Sequence, residues 1–427
     1  MSSSDSADDD VWSESWGGTA PAAKGLIAPH DRSGPVSCSV GARKLGHTVS
    51  ALFPLPKALI GLTGALSLLV SLGGCQPGSY SSDDYSPQLA GDRPALSDID
   101  WLTDPKSWEG PSTALLSSDA VTPITNTPPE PDLPRTVTSR DLAGDVEVTV
   151  ERVERIIAVD LAGSLAQTVV GLGYGDRLVG RDISTQIPGL EDLPVVTGTG
   201  HAISPEAVLE LRPDLILTDG TVGPIDVMLQ LREAGIPVVF IRVAPGLDQP
   251  ALQAHAVSTV LGQPELGARL GERINEEIDR VVATIADNTP ADPSDRLRMV
   301  FLYLRGANGI YYLFGEESGA GELITALGGI DVAGEIGWEG LRPVTDEALV
   351  AANPDLILVM STGLTSVGGV EELVTVKPAI GLTTAGQNLR FVDMADNLVL
   401  GFGPRTPLVL DALARAIYAP AQSPATR

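Results

Sequence analysis

One fifteen-residue pattern of this chain occurs twice. Ile203–Leu217 (ISPEAVLELRPDLIL) and Val344–Leu358 (VTDEALVAANPDLIL) align without a gap at an offset of 141, and seven of the fifteen positions are identical. Each copy reads as an N-cap (Ser204 or Thr345), a short helix, a Pro-Asp break and a continuous apolar run of the kind buried in a parallel sheet. Upstream, Leu172–Gly180 is echoed by Leu327–Gly334. A unit of this kind, repeated, predicts two α/β lobes in which helices alternate with parallel strands.

Between the copies, Leu266, Leu270, Ile274, Ile278, Val281 and Ile285 form one apolar stripe at helical spacing, opposite Glu272, Arg273, Glu276, Glu277 and Arg280. A helix of this length spans about 36 Å, enough to brace both lobes as one rod. Pro290 and Pro293 stop it. The boundaries that follow are an N-terminal lobe over 136–263, a connecting helix over 264–288 and a C-terminal lobe over 289–427.

The first part of the chain reads differently. An apolar run over 58–74, preceded by Arg43, Lys44 and Lys57, ends in Leu72-Gly73-Gly74-Cys75. Small residues before a cysteine are the pattern of a lipoprotein signal. Residues 1–74 are therefore expected to be a leader, and Cys75 the lipidated start of the mature chain, held at the extracytoplasmic face of the cell membrane. The stretch before Arg43 is long and acidic for such a leader. Residues 75–135, rich in Ser, Asp, Pro and Thr, are expected to form a disordered stalk on which Trp101 and Trp108 dock locally.

The formal net charge of −27 disfavours nucleic acid and anionic head groups as partners. The only cysteines are Cys38 and Cys75, so no disulfide is expected in the body. Of the four histidines only His201 and His255 follow Cys75, too few for a three-histidine metal site. No Gly-x-Ser-x-Gly elbow is present, and the chain does not read as an enzyme.

Two α/β lobes, one rod helix, a lipid-anchor motif and the doubled Glu-Ala … Pro-Asp-Leu-Ile-Leu element resemble the substrate-binding lipoproteins of iron-siderophore, haem and cobalamin ABC importers. The resemblance covers about 140–420. It implies a class III-type periplasmic binding protein with two Rossmann-like lobes, acting as a monomer with a permease and its ATPase subunit. It also implies one acidic residue per lobe for permease docking, here Glu206 and Glu347. First-turn helix acids are also favoured simply by the helix dipole.

Ligands of α/β sheets bind where strands end. Met299–Gly306 closes with Tyr303 and Arg305, two apart and so on one side of a strand. Leu356–Met360 places Met360 at a rim, and the loop Gly198–Ile203 carries His201 from the other lobe. A histidine facing a tyrosine across a cleft can supply both axial ligands of ferric haem. Arg305 would favour the phenolate by charge and hydrogen bonding. His201, Tyr303, Arg305 and Met360 closely resemble the set that surrounds haem in the haemin-binding lipoproteins of actinobacterial haem-uptake transporters. The resemblance implies delivery of haem to an importer for iron acquisition, with upstream surface haem-binding proteins among its partners. Whether Met360 ligates or packs is left open, and His255 reads as structural. Tyr311 and Tyr312 could line the cleft. Arg181, Arg342 and Arg405 are candidates for the propionates of haem or the carboxylates of a siderophore. A ferric-siderophore or cobalamin binder of the same fold is the alternative.

Overall fold

The two copies of the repeat fold alike down to their hydrogen bonds. In the computed structural model, which describes residues 89–306 and 310–423, the first copy forms helix Pro205–Leu211 and strand Leu215–Thr218, the second helix Asp346–Ala352 and strand Leu356–Met360. Ser204 Oγ accepts from Ala207 N and Thr345 Oγ1 from Ala348 N, so both helices are capped as their sequences predict. Both end in the left-handed region on a residue other than glycine, Arg212 (φ 45°) and Asn353 (φ 39°). The aspartate of each Pro-Asp pair then staples the start of the neighbouring strand. Asp214 accepts from Glu154 N and Arg155 N at 3.1 and 3.0 Å. Asp355 accepts from Arg298 N at 3.0 Å.

The N-terminal lobe holds a parallel four-stranded sheet in the order Leu178–Gly180, Ile156–Val159, Leu215–Thr218, Val238–Phe240. The hairpin Arg135–Asp141/Gly144–Val150 lies against it, fixed by the Arg232–Asp141 ion pair at 2.6 Å and by Ser139 Oγ accepting from Phe240 N. The C-terminal sheet runs Ser112–Thr113, Phe391–Met394, Leu356–Met360, Arg298–Arg305, Ile310–Phe314, Leu341–Pro343. Its first four strands are parallel and its last two antiparallel.

The rod is helix Pro264–Asn288, with Leu266, Leu270, Ile274, Ile278 and Ile285 buried. A Cβ at Gly267 would collide with Ser258, which is how helix Gln249–Val260 approaches so closely. Helix Thr406–Tyr418 is apolar on nearly every side and correspondingly buried. One continuous core joins Ala158, Ile274, Phe301 and Leu413, so lobes, rod and last helix share it.

Residues 89–135 correct the expectation of a disordered stalk. Leu96, Ile99, Ala114 and Leu116 are buried, and Ser112–Thr113 adds an edge strand to the C-terminal sheet. Trp101 packs on Tyr418 with ring centroids 5.6 Å apart. The segment then crosses to the other lobe beside the rod. Arg273 donates to Thr122 O at 2.7 Å, Ile124 N to Gly171 O at 2.7 Å, and Gln263 Nε2 to Glu130 O at 2.6 Å. It is a strap tying both lobes. It escapes a periodicity search because irregular extended chain anchors itself through single apolar residues and carries no repeating face. The expected leader and Cys75 lie outside the described residues. Among the described residues no helix is long and apolar enough to cross a membrane.

Candidate functional site

Strand Arg298–Arg305 sorts its side chains by alternation. Val300, Leu302 and Leu304 pack into the outer core of the C-terminal lobe, Met299 and Phe301 into the central core. Tyr303 and Arg305 continue the second face past the end of the central core. Arg305 Nε donates to Tyr303 Oη at 2.8 Å. The antiparallel register sets Tyr303 opposite Tyr312. The rings of Tyr312 and Phe314 meet Tyr303 edge-on, with centroids 6.4 and 6.1 Å away. Two rings and one guanidinium therefore set the direction of the phenol.

Met360 joins the same row. Val359 pairs with Leu302 and Met360 with Met394, so the next step along both strands brings Met360 level with Tyr303. Met360 is partly buried against the central core. Tyr312 shares this face, whereas Tyr311 lies on the other, beneath the ammonium of Lys377 at 4.1 Å.

His201 comes from the other lobe, in the turn Thr199–His201. Its φ of 59° is in the left-handed region, a conformation costing a non-glycine residue about 1 kcal/mol or more unless its surroundings hold it. They do: Gly198 N donates to Ala202 O at 2.7 Å and Gly223 N to His201 O at 3.4 Å. Ser184 Oγ lies 3.5 Å from His201 Nδ1. Burial first, and then the positive charge of Arg305, hold the imidazole below its ordinary pKa. The second cause connects the sites: His201 of one lobe feels the guanidinium that caps Tyr303 on the other. A depressed pKa keeps the ring neutral, with a lone pair for a metal. Arg305 also acts on Asp396, whose buried carboxyl is raised chiefly by desolvation and drawn down in part by Thr362 and Arg305.

Elsewhere the lobes are bonded directly. Asn397 Nδ2 donates to Ser184 O at 3.1 Å, Arg405 to Gln186 O, and Leu247 N to Glu322 Oε2 at 2.8 Å. A cavity of about 310 Å³ also separates the lobes, walled by Asp160, Asp219, Thr221 and Arg242 on one side and by Ser318 and Leu400 on the other. Burial raises Asp160 to about 8, helped by the neighbouring charges of Asp219 and Asp182, although Ser164 and Leu165 both donate to it.

The structure thus brings together Tyr303, Arg305 and Met360 on one face, with His201 within electrostatic reach. It does not do so for the arginines considered for propionates. Arg181 is buried and donates to Glu191 O, Arg405 is buried on Gln186 O, and Arg342 is exposed beside Glu339. His255 is exposed on helix Gln249–Val260. Glu206 and Glu347 are exposed in the first turns of the two repeated helices. Sequence reasoning missed Ser184, Asn397, Phe314 and Arg242. Phe314 alone was within reach, by extending the alternation of Tyr312.

Comparison with known proteins follows this geometry. The family model described as "Periplasmic binding protein" matches residues 158–398, more than half of the chain. Among solved structures, the heme binding protein HmuT is 38% identical over 74% of this chain and 99% of its own, with a TM-score of 0.67. Solved variants of that protein carry alanine in place of a histidine, a tyrosine or an arginine, the last two lying two positions apart. The periplasmic heme-binding protein RhuT from Roseiflexus sp. RS-1 is 33% identical over 63% of this chain and 100% of its own, with a TM-score of 0.57. BhuT, solved in complex with two hemes, is 30% identical over 63% of this chain and 99% of its own, with a TM-score of 0.55. No match was found among curated proteins.

Proposed function

The chain belongs to the periplasmic binding protein family, and we propose that within it this protein captures ferric haem and delivers it to an ABC importer for iron acquisition. The observation that carries the reading is the Tyr303–Arg305 hydrogen bond on one lobe within the electrostatic reach of His201 on the other. The histidine, tyrosine and arginine replaced in HmuT, with the same two-residue spacing of the last two, support it.

In this reading Tyr303 supplies an anionic oxygen to ferric iron and Arg305 stabilises its charge. His201 is the opposite ligand. Met360, Tyr312 and Phe314 give the porphyrin an apolar and aromatic wall. Arg242, exposed on the wall of the interlobe cavity, is proposed for a propionate.

The delivery half of the proposal rests on the repeats. Glu206 and Glu347 occupy equivalent exposed first-turn positions, one on each lobe, suited to matched basic sites on a permease coupled to its ATPase. Cys75 would hold the chain by lipid to the extracytoplasmic face of the membrane, where surface haem-binding proteins pass haem to it.

Haemin titration of the purified protein, followed by absorption, tests the reading. A shifted Soret band that saturates at one haem per chain is expected. A spectrum indistinguishable from free haemin, together with binding of a ferric siderophore, would replace it.

A further inference from the structure

We infer that Asp393 is a positioning residue for the Met360 rim of the cleft and that Thr113 of the strap acts through it, so that the strap is part of the ligand site as well as a brace. The share in binding rests on the haem reading; the geometry stands without it.

Met360 ends strand Leu356–Met360 and is also the N-cap of helix Ser361–Ser366. Helix starts favour Ser, Thr, Asp or Asn there, because their side-chain oxygens accept the free N–H groups of the first turn. A thioether is a weak acceptor, and Met360 makes no capping bond. The segment beside it supplies the acceptors instead. Asp396 Oδ1 accepts from Thr362 N at 3.0 Å, and Asp393 Oδ2 accepts from Ser361 Oγ. The other end of the helix is tied to the tyrosine strand: Gly306 N, one residue past Arg305, donates to Ser366 Oγ at 2.8 Å. A Cβ at Gly363 would stand 2.8 Å from Leu304 O, so the helix lies directly on that strand. Met360, Tyr303 and Arg305 are thus mounted on one cross-tied rim.

Asp393 is 4% exposed, and its Oδ1 accepts from Thr113 Oγ1 at 2.7 Å. In the sheet Asp393 pairs with Thr113 on one side and with Val359 on the other. Thr113, Asp393 and Ser361 therefore join three adjacent strands at their carboxyl ends, and the outermost of the three belongs to the strap. Without the Thr113 hydroxyl, Asp393 loses one of the bonds that fix the rotation of its carboxylate, and its hold on Ser361 loosens. Met360 is the residue next to that hold.

Carbon-13 NMR of the methionine methyl groups in the ligand-free full chain tests this without haem, with Met360→Leu assigning the rim signal. Thr113→Val is expected to shift the Met360 methyl, and Thr113→Ser, which keeps the hydroxyl, to leave it in place. Ser361→Ala breaks the other bond of the same carboxylate and should also shift it. Adding Thr113→Val to Ser361→Ala should then change little, because Thr113 acts through that bond. Met228, buried in the core of the N-terminal lobe, should not respond to any of these changes. In haemin titrations Thr113→Val should lower affinity roughly tenfold, and Thr113→Ser should not. A Met360 methyl unmoved by Thr113→Val would overturn the inference. So would a Met228 signal that moves with it, the mark of a general loss of structure. A shifted methyl with wild-type haemin affinity would overturn the strap's share in the site. Failure of wild-type protein to bind haemin would instead overturn the haem reading and leave the methyl result standing.

Discussion

Asn397 Nδ2 and Ser184 O, 213 positions apart in the chain, meet at 3.1 Å across the interface between the lobes. With Arg405 on Gln186 O, this bond ties the two lobes directly. A rod of about 37 Å and the strap beside it also join the lobes. Lobes linked by a rod, a strap and a shared core have little freedom to swing. The placement of His201 relative to Tyr303 is therefore set by the fold, and a ligand held between them would bind at a lower ordering cost.

Arg305 makes its bond to Tyr303 through a charged donor, the strong class of hydrogen bond. Arg305→Ala is expected to lower haemin affinity roughly 10- to 100-fold and to shift the tyrosinate-to-iron band. Tyr303→Phe should remove that band altogether and cost more, because it deletes the anionic ligand itself. Absorption and resonance Raman spectra check both. An unaltered band in Tyr303→Phe would exclude Tyr303 as a ligand.

The strap predicts that the N-terminal segment matters to stability. Leu116 is 1% exposed in the central core. Truncating it to alanine should cost about 2–5 kcal/mol, read as a lower midpoint in chemical denaturation. A cost near zero would mean that the segment only rests on the lobes.

How far the sequence reaches is clear from these two cases. Tyr303 and Arg305 were legible because strand alternation and the end of an apolar run are local signals, and the paired aspartates because the repeat is contiguous. The strap was not, since Leu96, Ile99 and Leu116 are anchors with no common period. Ser184 and Asn397 were not either. Each is an ordinary polar residue in its own neighbourhood, and its meaning arises only where distant segments meet. The arginines failed for a related reason: sequence shows a charge but not the carbonyls that claim it.

The staples Asp214 and Asp355 should behave as a pair. Asp214 accepts two backbone N–H groups and Asp355 one at the start of the adjacent strand, and losing such a bond where water can reach the donor costs about 0.5–1.5 kcal/mol. Asp214→Ala and Asp355→Ala are expected to cost similar amounts and, lying in different lobes, to add. Strong non-additivity in the double variant would contradict independent staples.

Asp160 gives a pH dependence whose sign can be worked out. In the folded chain burial keeps its proton on up to about pH 8, against 3.8 for an ordinary aspartate. The folded state thus binds more protons than the unfolded one across that window. Stability from this group is fully present below about pH 4 and is lost as pH rises through 8. Asp182, raised to about 6 mainly by burial, adds a slope of the same sign over a narrower range. Asp160→Asn removes the charge and keeps one acceptor oxygen, for either Leu165 N or Ser164. It should flatten the decline in denaturation midpoint between pH 5 and pH 8. A slope as steep as that of the wild type would assign the effect to other groups.

Glu206 and Glu347 are exposed, equivalent by the repeat, and placed one on each lobe. The dipole of a seven-residue helix favours an acid in its first turn by only about 0.3–1 kcal/mol, so their loss should scarcely affect folding. If instead they meet basic residues of a permease, reversing either charge puts like against like in that contact, where mismatches cost several kcal/mol. Glu206→Lys and Glu347→Lys are each expected to cut haem-dependent growth sharply, and the pair to abolish it, with the Soret spectrum and haemin affinity of the purified proteins unchanged. Growth at the wild-type rate in the double variant would confine these two glutamates to the dipoles of their helices.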